Sequence, residues 1–184
     1  MKQKTFWYLF LSILFVSSFF FDQQIVSFFT KLHTPLLDTF FIIFHYFGTV
    51  YSLFILTFLL VFFVKNRKAW LTYSLFSLGL TAVVIYFLKI VVARERPDVE
   101  SLVLNGDFSF PSGHTGLFFA LTSCLKRFFS PTFFSFWISV GILTLFSRIY
   151  LGVHYPSDVL GGALLGLLLG DFALFILDHF KKKA

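Results

Sequence analysis

The sequence predicts an all-α integral membrane protein, with six transmembrane helices in one bundle and both termini cytoplasmic, forming a single membrane-embedded domain over residues 1–184. Three observations carry this expectation. Hydrophobic residues make up 58% of the 184 and charged residues only 13%, against roughly 25% charged in soluble globular proteins. The apolar residues fall in runs close to the roughly 20 residues that a helix needs to cross a bilayer. The basic residues gather in short clusters between those runs, as in loops on an anionic membrane face. The formal charge of +6 is therefore no argument for nucleic acid as a partner. Cys124 is the only cysteine, so no intramolecular disulfide is possible, and within its apolar run it reads as a small packing residue. Oligomeric state is not legible.

The first run, 6–21, follows Lys2 and Lys4 and has the look of a signal peptide as well as of a span. Its bulky end, Ser17-Ser18-Phe19-Phe20-Phe21, makes a poor small-residue cleavage site, which favours the span. Residues 23–45 are mixed. Pro35 suits a helix start, and a phenylalanine-rich interfacial helix is expected over about 35–46. Span two covers 48–64 and meets the basic cluster Lys65-Asn66-Arg67-Lys68; span three covers 69–88 and ends at Lys89. Residues 90–111 hold Arg94, Glu95, Arg96, Asp98, Glu100 and Asp107 with an Asn105-Gly106 turn signal, which predicts a loop. Span four, 113–127, opens at Pro111-Ser112-Gly113-His114 and stops at Lys126-Arg127. Span five, 131–147, follows Ser130-Pro131, and span six, 156–177, starts at Pro156 and runs towards Lys181-Lys182-Lys183.

Six spans put Lys2, Lys4, Lys65, Arg67, Lys68, Lys126, Arg127, Lys181, Lys182 and Lys183 on one face, which the positive-inside rule makes cytoplasmic. Lys31, Lys89, Arg94, Arg96 and Arg148 remain on the other. Four of these five flank or occupy segments that are polar for another reason. An ionisable group inside a membrane costs about 2.5 to 3.5 kcal/mol on insertion scales, so such groups need a purpose.

Three polar clusters share that extracytoplasmic face: Lys89 with Arg96-Pro97, then Pro111-Ser112-Gly113-His114, then Ser147-Arg148 with His154 and Asp158. Together they outline a phosphate site. Lys89, Arg96 and Arg148 supply cations, and guanidinium groups match phosphate oxygens with paired donors. Ser112 and Gly113 stand at a helix start, where free N–H groups and the helix dipole favour an anion. Of the two histidines, a neutral imidazole can attack phosphorus and a protonated one can donate to the departing oxygen. His154, four residues before Asp158, can have one ring nitrogen held by that carboxylate, which leaves His114 as the general acid. From Lys126-Arg127 back to His114 is only about 18 Å of helix, so His114 is expected somewhat below the outer surface.

The patterns Lys89-x6-Arg96-Pro97, Pro111-Ser112-Gly113-His114 and Ser147-Arg148-x5-His154-x3-Asp158 resemble the three-part signature of the type 2 phosphatidic acid phosphatase superfamily, in order and without a departure. The resemblance covers residues 89–158 directly. It implies that His154 forms a phosphohistidine, that Asp158 orients it, that His114 protonates the leaving group, and that Lys89, Arg96, Ser112, Gly113, His114 and Arg148 bind the phosphate, with no metal or other cofactor. It further implies a multi-pass enzyme of the cell membrane whose partners are the bilayer and a lipid substrate: phosphatidylglycerol phosphate, phosphatidic acid, diacylglycerol pyrophosphate or undecaprenyl diphosphate. Lipid A phosphatase activity within the same superfamily, or a transporter that binds an anion without cleaving it, are the alternatives.

The remaining polar residues have plainer readings. His33, His45 and His179 read as interfacial, and Arg94 and Glu95 as a local ion pair, although Arg94 is also placed to steer an anionic headgroup; Ser112 taken alone would read as a helix cap. Asp171, thirteen residues past Asp158 and so about 20 Å along the helix, is expected to be structural. Gly162, Gly166 and Gly170 form a small-residue stripe for close helix packing, and the thirty-one phenylalanines are lipid-facing or packing bulk.

Overall fold

The computed structural model describes residues 2–104 and 106–182, without the side chains of Lys2, Gln3 and Phe47. Asn105 of the expected turn and Lys183 of the closing basic cluster therefore lie outside the described residues. The described residues form helices α1 (Lys2–Ser18), α2 (Asp22–Thr30), α3 (Pro35–Phe47), α4 (Val50–Leu60), α5 (Arg67–Val92), α6 (Gly113–Ala120), α7 (Thr122–Phe128), α8 (Pro131–Tyr150) and α9 (Pro156–Lys181), and no strand occurs among them. A single 3-10 turn, Val61–Phe63, extends α4.

Three of these helices, α5, α8 and α9, are each long and apolar enough to cross a membrane, and the bent pairs α1–α2 and α3–α4 bring the number to at most five. Where one run over 6–21 was expected, the backbone turns after Ser18, whose hydroxyl bonds back to the Phe15 carbonyl at 2.7 Å, and α2 leaves at 81° to α1. The stretch 113–127 is likewise two short helices that meet at Leu121. Hydropathy runs unbroken through Leu121, which hides that break in composition, whereas the turn after Ser18 falls just before the polar Asp22-Gln23-Gln24 at which the first run was expected to end.

Local chemistry sets several helix ends. Asn66 caps α5 by accepting from the Ala69 N–H at 3.0 Å, Thr34 and Ser130 cap α3 and α8 in the same manner, and proline fills the first turn of α3, α8 and α9. Helix α5 runs on to Val92, past the expected end, and stops at Ala93 in the left-handed region, so Lys89 lies inside the helix.

Helix α9 is central, packed against α6 and also meeting α1, α5, α7 and α8. The glycine stripe faces α6: a Cβ at Gly166 would meet the Gly116 carbonyl, and one at Gly170 the Ala120 carbonyl. Around this seam Trp70, Tyr73, Leu78, Leu121, Cys124 and Leu125 are buried. Trp70 donates its indole N–H to the Thr57 carbonyl at 2.8 Å, which satisfies a polar group that burial would otherwise penalise. Many outward residues are large and apolar, among them Ile13, Val83, Phe87 and Phe175, as a lipid-facing surface requires. In the half of α9 remote from Asp158, Asp171 is bound by Lys4 at 2.5 Å and by the hydroxyls of Tyr8 and Ser123. Asp178 there holds Arg127 at 2.8 Å and Tyr73. Asp171 thus ties α1 and α7 to α9.

Candidate phosphate site

The eight residues singled out by sequence converge where α5, α6, α8 and α9 end or begin together. Lys89 lies in the last turn of α5, Arg96 in the following segment, Ser112 to His114 start α6, Arg148 is in the last turn of α8, and Asp158 is in the first turn of α9. His154 stands in the five-residue turn between α8 and α9. That turn depends on Gly152, whose φ of +71° is in the left-handed region and whose Cβ, if it had one, would lie 3.0 Å from the Glu100 carbonyl. The Val153 N–H returns to the Arg148 carbonyl at 3.3 Å, which folds His154 back over the end of α8. The backbone N–H of Ser112 donates to the Asp158 carbonyl at 3.0 Å and so joins the starts of α6 and α9.

A cavity of about 170 Å³ is lined by Val50, Lys89, Arg96, Asp107, Gly113, His114 and His154. It is small beside the 300–1,000 Å³ of pockets for whole organic ligands and of a size for a phosphate group. A larger groove of about 420 Å³ runs along α1, lined by Leu9, Ser12, Ile13, Val16, Ser17 and Phe20. With no ionisable group, that groove offers nothing to a phosphate.

The electrostatics of the site are strongly one-sided. Arg148 is fully buried, and none of its three guanidinium nitrogens has a hydrogen-bond partner in the protein. Ser112 Oγ and His114 Nε2 are also buried without one, so Ser112 does not cap α6 through its side chain as the sequence suggests. Asp107 faces the cations: it lies 3.1 Å from Lys89 Nζ and also binds Arg96, whose guanidinium donates to the Val153 carbonyl at 2.5 Å. Burial pushes the Asp107 carboxyl up, but Lys89 and Arg96 outweigh it and hold it below the usual carboxylate range. Burial and the cations Arg96, Lys89 and Arg148 hold the His154 imidazole well below its ordinary value of 6.5, with Asp107 opposing. A neutral ring there has its Nε2 lone pair available.

His154 Nδ1 lies 3.5 Å from Asp158 Oδ2, a close charge contact beyond hydrogen-bond length. The same Oδ2 accepts from the Tyr155 N–H at 2.8 Å, and Oδ1 accepts from Arg94 at 2.7 Å. The expected local pair of Arg94 with Glu95 is therefore corrected: Arg94 binds Asp158 and Asp22, carboxylates far away in sequence, because its guanidinium turns inward towards buried acids while Glu95 is exposed. His45, read as interfacial, stacks on His114 with ring centroids 4.9 Å apart. His33 binds the Tyr150 carbonyl at 2.8 Å. Asp22, His45 and Asp107 were missed as neighbours of the site. The one sequence signal was that Asp22 is a lone carboxylate beside a phenylalanine run.

Among the described residues no group of three or more His, Cys, Asp or Glu is placed to hold a metal ion. Apolar helices of spanning length surround a cavity lined by Lys89, Arg96 and two histidines, and they define a multi-pass membrane protein. The chain belongs to the PAP2 superfamily, whose sequence model matches residues 70–181 and so takes in all eight residues. It is similar to the solved structure of a transmembrane PAP2-type phosphatidylglycerolphosphate phosphatase from Bacillus subtilis, at 26% identity over 97% of this chain and 98% of that one, with a TM-score of 0.77. It is also similar to the structure of Aquifex aeolicus LpxE, at 31% identity over 83% and 94% of the two chains, with a TM-score of 0.75. Among curated relatives, phosphatidylglycerophosphatase B of Bacillus subtilis is 37% identical over 107 residues, which is 52% of this chain. The chain spans half the length of that relative.

Proposed function

We propose that the protein removes phosphate from a membrane lipid monoester or diphosphate, without a metal, through a phosphohistidine on His154. The observation that carries this reading is Arg148. A buried guanidinium with no protein partner costs several kcal/mol, and that cost is reasonable where a phosphate dianion completes it. Lys89, Arg96, Arg148, Ser112, the α6 N-terminus at Gly113 and His114 bind the phosphate oxygens. His154 Nε2 then donates its lone pair to phosphorus as the bond from phosphorus to the lipid oxygen breaks, and His114 gives its proton to that oxygen. Asp158 stabilises the proton on Nδ1 as the ring gains charge. Water next attacks phosphorus and yields its proton to His114, and the N–P bond breaks with its electron pair returning to Nε2. The net change is lipid phosphate and water to lipid alcohol and inorganic phosphate, or lipid diphosphate to lipid monophosphate.

The substrates favoured are phosphatidylglycerol phosphate, phosphatidic acid, diacylglycerol pyrophosphate and undecaprenyl diphosphate, with lipid A phosphates as the alternative within the superfamily. The cavity takes a headgroup phosphate and no more, so the lipid body would remain between helices. The distribution of basic residues supports both termini in the cytoplasm and the site on the extracytoplasmic side of the cell membrane, with the broken pair α6–α7 as a sixth passage beside the five of sufficient length and apolarity.

Phosphate release from these lipids by the purified protein, in the presence of a chelator, tests the reading. His154→Ala should abolish both release and the trapped phosphohistidine. Binding of phosphate without release from any lipid would instead establish an anion-binding protein such as a transporter.

A further inference from the structure

Directly behind the site lies a second ionic cluster of which the reaction as described uses only Asp158. Arg94, in the segment after α5, divides its guanidinium between two acids. One terminal nitrogen donates to Asp158 Oδ1 at 2.7 Å and to Ser157 Oγ at 2.6 Å, and the other donates to Asp22 Oδ2 at 2.7 Å. Asp22, on α2, in turn accepts from the Ser157 N–H at 2.9 Å and from its hydroxyl at 2.5 Å. Asp22, Ser157 and Asp158 are all buried, and the guanidinium stands 4.2 Å from the centroid of the Tyr155 ring.

We infer that Arg94 and Asp22 are positioning residues for the histidine chemistry, holding Asp158 in one orientation against His154. The inference rests on the phosphatase reading for its meaning in turnover. Asp158 has two oxygens with separate duties: Oδ1 is taken by Arg94, which leaves Oδ2 for the Tyr155 N–H and His154 Nδ1. A carboxylate free to rotate would present either oxygen. The fork geometry matters, because a guanidinium donates in two fixed directions while an ammonium is a point charge. Asp22 fixes the other arm of the fork, and its bonds to Ser157 anchor it to the first turn of α9, beside Asp158. The charge balance fits the same duty. Two aspartates and one arginine leave one negative charge beside His154, which offsets the positive charge that the ring gains as its N–P bond forms. Helix α2, which carries no residue of the cavity, enters the site through this cluster.

The test compares full-length Arg94→Lys and Asp22→Asn with wild type in detergent, on a lipid phosphate that wild type cleaves. Lysine keeps the charge and loses the fork. The expected result is a fall in kcat of about tenfold or more for Arg94→Lys, with KM and inhibition by inorganic phosphate within about twofold, since Lys89, Arg96 and Arg148 are untouched. Asp22→Asn, which nearly preserves shape, should lower kcat about threefold or more in the same pattern, and it decides the matter if Arg94→Lys does not fold. The neighbouring exposed acid serves as control: Glu95→Gln should keep wild-type rates. A kcat within twofold of wild type in the folded variants overturns the inference, as does a loss that falls on KM and phosphate inhibition instead. A second readout needs no turnover. The ring ¹⁵N shifts of His154 should report a proton on Nδ1 in wild type and mixed tautomers in Arg94→Lys, and an unchanged tautomer ratio overturns the inference. Wild-type protein that cleaves no lipid would remove the phosphatase reading and leave the tautomer experiment to decide this one.

Discussion

Gly162→Ala places a single methyl group at the seam that aligns the two halves of the site, and its effect can be worked from the distances. A Cβ at Gly162 would stand 2.5 Å from the Ser112 carbonyl and from Thr115 Oγ1, whereas ordinary contact begins at 3.4 Å. Thr115 can turn its side chain, but the Ser112 oxygen is backbone at the start of α6 and must move with it. Relief of the contact therefore asks for a shift of about 0.9 Å between the start of α6, which bears Gly113 and His114, and the start of α9, next to His154, and a misplacement of about 1 Å can cost about 10²-fold in rate. That factor corresponds to about 2.7 kcal/mol in the barrier, while overpacking of this kind costs about 1–3 kcal/mol in stability. The expected outcome is a loss of kcat/KM for lipid phosphate release of about 10²-fold in protein that still folds in detergent. Gly79→Ala, where a Cβ meets nothing within 4 Å, should leave the rate unchanged. Folded Gly162→Ala with a kcat/KM within about threefold of wild type would refute the claim that this seam sets the site's geometry.

Arg148→Met removes a buried charge that has no protein partner, so thermal unfolding should show a protein no less stable and up to about 4 kcal/mol more so. Inhibition by inorganic phosphate should weaken about 10²-fold or more. Asp107→Asn relieves Lys89 and Arg96 of a competing carboxylate. Because Asp107 is more than half exposed, the gain is modest, a fall in KM of about two- to fivefold, and a rise in KM would assign Asp107 to holding the cations in place. In the proposed mechanism His154 reacts as the neutral ring, and its folded pKa is depressed. Its proton therefore binds only as pH falls below the ordinary 6.5. Phosphoenzyme formation, corrected for the substrate's own ionisation near pH ~6, should show no acid limb centred at or above that value. The same sign holds for stability: the contribution of neutral His154 is complete above the unfolded pKa and is lost as pH falls through the folded one.

How much of the site was legible follows from where its chemistry resides. Lys89, His114, Arg148, His154 and Asp158 stood out because ionisable groups beside or within apolar runs are costly, and in the folded chain Lys89, His114 and His154 line one cavity. The partners that fix them did not stand out. Arg94 and Asp22 are 72 residues apart, and no local periodicity links them. His45 looked like any polar interruption in an aromatic helix until α3 placed its ring on His114. The helix break at Leu121 was hidden for a related reason, since hydropathy records the solvent of a segment and not its direction.

The sequence by itself determined the helical class, the bilayer as solvent and which ionisable groups interrupt the apolar runs, because each follows from the cost of placing a given side chain in hydrocarbon. Only the tertiary structure decided which carboxylate turns to which cation. It gave Asp107 to Lys89 and Arg96, and Arg94 to Asp22 and Asp158. Pairing of this kind depends on distances of a few ångströms between α2, α5, the segment after α5 and the start of α9, and only the packing of those elements fixes them.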